Sequence, residues 1–282
     1  MNIIISTNDH PTYYGFLDPI CKYYKSLNQN VYVAYLTDKN TNPDIECDKI
    51  VRIKSLNVFN NGVQAKLARS YLACILEDDI YTLLDIDQIL INIKWLENII
   101  KKNRNVLLSG DKDILAIGSN VYKKTDSAGK WPMYFTTGLP SGFRKLFGIK
   151  KECSFNDLLN KFAHIKDGID GRESTSKCFE NFSDESLFRY CSTRNNLNII
   201  HEDIPISCNG INRIDRTDYN IGKYGNKGYS SNFWNQKCLT LPQRENIMNG
   251  FFLDSFPARP YERYKRLIDD IIRISLERNN ET

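Results

Sequence analysis

Two aspartates one residue apart, Asp85 and Asp87, end an apolar run that starts at Ile80, and a second apolar run starts at Ile89. In an extended segment side chains alternate between faces, so both carboxylates would project from the same side. Two hard oxygen donors at the mouth of a sheet suit a divalent cation that keeps other positions for phosphate oxygens. A solvated strand end would also account for such a pair. What distinguishes this one is its setting, since carboxylates at the end of so apolar a strand need a counter-charge. Upstream, Lys66 and Arg69 are three apart in a helical pattern and therefore neighbours on one helix face. Either alone reads as part of a solvated basic face. With Asp85 and Asp87 they outline a cradle in which cations and a metal share the charge of a nucleoside diphosphate.

Four further groups have the right chemistry. Asp184 and Glu185 follow Ser183 at a helix start, where an anion is stabilised by the helix N-terminus. They read either as simple charge complementarity or as a general base for an acceptor hydroxyl. His201, just after a strand, is the histidine best suited to complete a carboxylate metal site, although a structural histidine is the plainer reading. Trp131 and Tyr134 lie in an aromatic junction and would stack on a sugar ring or pack in the core. Gly222 to Gly228 lacks the spacing of a P-loop and reads as a flexible flap over phosphates.

These groups need a scaffold, and the N-terminal half supplies strands and helices in alternation. Strands are expected at Asn2–Thr7, Val31–Leu36 and Lys49–Ile53, with a fourth ending at Asp85. Helices are expected at Tyr14–Leu27 and Val63–Leu76. Such alternation implies an α/β fold with a mostly parallel central sheet covered by helices. Further on, the pattern predicts a helix over Ile93–Lys102 and a short strand over Val106–Leu108. A strand and turn follow within Trp131–Pro140, then a short helix near Phe143–Phe147. Helices are also expected over Ser154–Ala163 and Ser183–Cys191, with a strand over Asn198–Ile204. Residues 1–207 read as one domain. Residues 208–282 read as a loop-plus-helix extension packed on it, ending in a helix over Tyr261–Leu276 introduced by Pro260.

With 282 residues, 26% charged and 41% hydrophobic, the composition is that of an ordinary globular chain. A net charge of +4 with no basic run fits an anion pocket and argues against nucleic acid as a partner. The eight cysteines form no paired metal or redox motif and suggest a reducing compartment. Met1 leads straight into a strand, which argues against a secretory signal, and no apolar run is long enough for a membrane span. The expected location is cytoplasmic.

Taken in order, these features resemble the nucleotide-sugar glycosyltransferases of the GT-A fold. The resemblance runs from the first strand through the Gly62–Arg69 helix start to Asp85-Ile86-Asp87, the aromatic segment at Trp131 and the acids at 184–185. It covers about Met1 to Asp203. It implies a Rossmann-like sheet and Mn²⁺ or Mg²⁺ held by Asp85 and Asp87 against the donor diphosphate. It also implies that Ser6, Thr7 and Asp9 lie along the nucleoside, with Lys66, Arg69 and Ile86 completing the donor site. The donor would be a nucleoside-diphosphate sugar, UDP by family frequency, and the acceptor a glycan or glycoprotein hydroxyl. An H-x-x-G-x-x-K-P-W signature, carried by one retaining branch, is absent, which favours inversion. Glycan-building enzymes of large DNA viruses look similar in length and order, and for a viral chain the compartment would be the host cytoplasm. Three other readings compete. One is a phosphohydrolase that uses D-x-D, although its acids belong on the first strand. The second is a nucleotidyltransferase that makes the sugar nucleotide, although it would want a Gly-rich, basic loop after the first strand where this chain has Asn8-Asp-His-Pro-Thr12. The third is a non-catalytic carbohydrate-binding scaffold with the same shell.

Overall fold

The computed structural model describes residues 1–56, 60–118, 135–162, 187–188, 190–192, 194–203, 206–207, 210–211, 213–214, 233, 236–255 and 259–281. Its centre is a seven-stranded sheet. Strands β1 (Asn2–Asn8), β2 (Asn30–Leu36), β3 (Lys49–Ile53) and β4 (Tyr81–Leu83) form its first half. The second half comprises β6 (Ile114–Gly118), β7 (Phe135–Gly138) and β8 (Ile199–Asp203). The spatial order is β3-β2-β1-β4-β7-β6-β8. Every pairing is parallel except the two made by β7, which runs against β4 and β6. The chain is therefore α/β, with a mostly parallel sheet between helices, as its alternating pattern predicts.

Why these segments become strands is visible in their burial. All seven residues of β1 are buried, as befits a parallel strand covered on both faces. Successive side chains feed opposite cores. Ile3, Ile5, Val31 and Val33 join one apolar cluster with helices α2 (Leu17–Ser26), α4 (Ile93–Leu108) and α8 (Tyr261–Glu281). Ile4, Ala34 and Leu36 join the other, with α3 (Asn61–Ile75), α5 (Pro140–Phe147) and α6 (Phe155–Phe162). Two short helices add to the first face: α1 (Pro11–Tyr14), whose Tyr13 packs against that cluster, and α7 (Leu241–Met248), whose Ile247 is buried in it. Small ladders pair β5 (Ile89–Leu90) with β11 (Asp254–Ser255), and β9 (Ile206–Ser207) with β10 (Gly210–Ile211).

Helix starts follow local chemistry. Asn60 caps α3 by accepting from the Val63 amide at 2.9 Å, and Asn92 caps α4 through the Trp95 amide at 3.2 Å. Ser154 and Asp157 cap α6 reciprocally, the Ser154 hydroxyl accepting from the Asp157 amide at 3.1 Å. In α5, Gly142 approaches the backbone at the start of β6 so closely that a Cβ there would stand 2.1 Å from the Asp113 carbonyl oxygen.

One expected strand is not a strand. Residues 106–108 continue α4, because buried positions Ile93, Leu96, Ile100, Asn103 and Leu107 keep helical spacing to its end. Gly110, at φ +78°, then turns the chain into β6. The C-terminal helix reaches Glu281 and inserts Leu267, Ile268, Ile271 and Ile274 into the same cluster as Ile3 and Phe16. Each such burial contributes about 1.5–3 kcal/mol, enough to fix α8 against the sheet. Near its end, Asn279 donates to the Ile91 carbonyl at 2.8 Å.

Candidate functional site

The chain fills β1, β2 and β3 outward in one direction, then returns to place β4 on the other side of β1. The order of strands thus reverses between β1 and β4. In open α/β sheets the crevice beyond the carboxyl ends of such strands is where ligands bind. Asp85 and Asp87 lie just past the end of β4, and Asp9 just past the end of β1.

The acid pair does not sit on an extended strand as the alternation argument assumed. The last ladder bond runs from the Leu84 amide to the Ile4 carbonyl at 3.0 Å, after which the chain turns, with the Gln88 amide donating to the Asp85 carbonyl at 3.1 Å. Aspartate is favoured at the first position of such a turn, which explains why the strand stops there. The two carboxylates therefore have unlike surroundings: the Asp85 side chain is 39% exposed and that of Asp87 is 3% exposed. Ile86 between them is buried in the core cluster.

The turn is pegged from below. Tyr24 donates its hydroxyl to the Gln88 carbonyl at 2.9 Å, and Tyr23 donates to the Leu90 carbonyl. The Gln88 amide donates to the buried Asp254 carboxylate at 3.0 Å, and Arg213 stands 3.7 Å from that carboxylate. A rigid support of this kind holds a two-carboxylate turn in one geometry.

Each acid has its own arginine. Arg69, buried on α3, donates to Asp85. Arg259, immediately before α8, donates to Asp87 and lies over the Tyr13 ring, its Cζ 4.6 Å from the centroid. One of its terminal nitrogens donates to the Tyr13 hydroxyl at 2.5 Å. Burial pushes the Asp87 carboxyl above the usual carboxylate range, with Arg259 pulling it down and Asp85 adding to the rise. Burial likewise raises the Tyr13 hydroxyl, against the pull of Arg259 and Lys66. Lys66, half-buried on α3, thus belongs to the same cluster. The site gathers two carboxylates, a phenol and three cations, an arrangement suited to a multiply charged anion.

At the end of β1 the three expected nucleoside contacts differ. Thr7 is buried and its hydroxyl donates to the adjacent Asn8 carbonyl at 3.3 Å, while Ser6 is largely buried. Asp9 is more open. It accepts from Tyr35, from the Thr37 hydroxyl at 2.6 Å and from Lys39 at 3.1 Å. Burial opposes its ionisation, but these hydrogen bonds outweigh it and hold the Asp9 carboxyl below the usual range.

His201 is not brought to the acids. It is exposed on β8, in register with Ala116, and two strands, β7 and β6, separate β8 from β4. At the spacing of neighbouring strands that is roughly 14 Å across the sheet. As a third metal ligand it is replaced by nothing else: among the described residues no group of three or more His, Cys, Asp or Glu could hold an ion. A two-carboxylate set still fits Mg²⁺ or Mn²⁺, which bind through one or two carboxylates plus substrate phosphates. Asp87, buried and held by an arginine that is itself partly exposed, supports that fit. Asp184, Glu185, Trp131 and Tyr134 lie outside the described residues. Sequence reasoning missed Tyr13, Arg259 and the Gln88–Asp254–Arg213 support. The Tyr13 and Arg259 types suit an anion site, but no spacing links residues so far apart in the chain.

Among the described residues no helix is long and apolar enough to cross a membrane. No protein-family profile matches the chain, and no curated protein does. Solved structures similar to it include a CMP:2-keto-3-deoxy-manno-octonic acid synthetase complexed with CTP. That protein is 13% identical, with 74% of this chain and 91% of the other covered and a TM-score of 0.39. Another is the galactosyltransferase LgtC in complex with donor and acceptor sugar analogs, 12% identical, with 98% and 95% covered and a TM-score of 0.39. At this degree of superposition neither likeness assigns an activity to the chain.

Proposed function

We propose that this chain is a metal-dependent glycosyltransferase that moves a sugar from a nucleoside-diphosphate donor, UDP in first place, to a hydroxyl of a glycan or glycoprotein. The observation that carries this reading is the rigidly pegged acid turn at the strand-order reversal, ringed by Lys66, Arg69 and Arg259. Asp85 and Asp87 would hold Mn²⁺ or Mg²⁺, which supplies Lewis-acid assistance to the departing diphosphate. Lys66 and Arg69 share the remaining phosphate charge, and Asp9 lies along the nucleoside. Asp184 or Glu185 takes the proton from the acceptor hydroxyl, as an inverting mechanism requires. Trp131 and Tyr134 offer ring faces to the acceptor sugar.

A thermal-unfolding panel of nucleotides and sugar nucleotides, each with and without Mn²⁺, tests the reading. UDP or a UDP-sugar should stabilise only with Mn²⁺, by about 2.7 kcal/mol at a hundredfold excess over Kd. Asp87→Asn should remove that stabilisation without unfolding the chain. If no nucleotide stabilises under either condition, the assignment is wrong.

A further inference from the structure

The two acids differ in how firmly their arginines are held. Arg69 is 5% exposed and packed within α3, with no open side toward which to withdraw from Asp85. The Arg259 side chain is 35% exposed while its partner Asp87 is 3% exposed. Arg259 also has a second foothold, the ring and hydroxyl of Tyr13. It can therefore leave Asp87 and remain anchored. A buried carboxylate that stays ionised beside a second one needs a cation against it, and that place is taken by the guanidinium, with which an arriving ion must compete.

We propose that Arg259 is a resident counter-ion of Asp87 that a divalent cation displaces, the arm staying on Tyr13. Ion binding is then an exchange at Asp87 and a plain addition at Asp85. The consequence is a weakened affinity for the free ion, since every binding event breaks an internal ion pair. This rests on the metal-site reading proposed above.

Binding of Mn²⁺ alone to the full chain, followed by the electron paramagnetic resonance of the free ion, tests it. Arg259→Gln should bind Mn²⁺ about tenfold more tightly than the parent chain, and Asp87→Asn should lose binding in either background. Arg259→Lys, which keeps a charge but loses the planar stack, should fall between. It carries the test if Arg259→Gln fails to fold, a point that circular dichroism settles. Equal affinity of the parent chain and the Arg259 variants, with binding lost in Asp87→Asn, would overturn the exchange and leave the metal site standing. Failure of parent and Arg259 variants alike to bind millimolar Mn²⁺, with or without UDP, would bring down the metal site and this inference together.

Discussion

Asp85 and Asp87 share one turn, yet they meet their arginines by different routes. Arg69 lies 16 residues from Asp85, on the helix that leads into β4, whereas Arg259 lies 172 residues from Asp87. The first pair is built by one helix–strand unit and keeps its carboxylate partly in water. The second is built by the docking of the C-terminal segment and hides its carboxylate. Local pairing leaves an acid that water can serve. Long-range pairing creates one that depends on its partner.

Removing each partner should expose that difference. The largest effect is expected for Arg259→Ala, which strands Asp87 without a counter-charge. A loss of about 3 kcal/mol in urea unfolding is expected, the low end for a broken buried pair because the guanidinium is a third exposed, and adding Asp87→Asn should recover part of it. No recovery in the double variant would mean that Arg259 contributes packing rather than charge. Next comes Arg69→Met, which keeps most of the buried stem and removes the charge-assisted bond to Asp85. It should cost about 1–2 kcal/mol, and Asp85→Asn should then add little. A loss exceeding that of Arg259→Ala would reverse the ranking argued from exposure.

The smallest effect concerns Asp9, a third acid at the same edge whose carboxyl is held low. A group with a depressed folded pKa adds stability above its unfolded pKa and loses it as pH falls through the folded one. Melting temperatures of the parent chain should therefore fall more steeply below about pH 4 than those of Asp9→Asn. The difference should stay under about 1 kcal/mol because solvent screens this half-open group. Parallel curves would show that its hydrogen bonds carry no net charge effect.

How much of this was legible in the sequence depends on distance along the chain. β1, β2, β3 and α3 were readable within a residue or two, because short β-branched apolar runs and helical apolar spacing are local signals. The acids were found by type, but their geometry was misjudged, since the turn at Asp85 is held in place by Tyr23, Tyr24 and Asp254 from other elements, whose bonds to Gln88 and Leu90 no local pattern reveals. The strand expected at 106–108 failed because three apolar residues cannot reveal their period, while the run from Ile93 onward does. Arg259 and Tyr13 stand at opposite ends of the chain, and only packing brings them together.

Asn279 fastens the last helix to Ile91 across 188 residues, and Gln88 reaches Asp254 across 166. Contacts of such sequence separation form late. A ribosome-bound fragment that already contains β1 to β4 must therefore carry Asp87 unescorted until α8 has emerged. Pulse-labelling or arrest at successive lengths would find the crevice closing only once α8 has emerged, long after the strands beneath it are laid down.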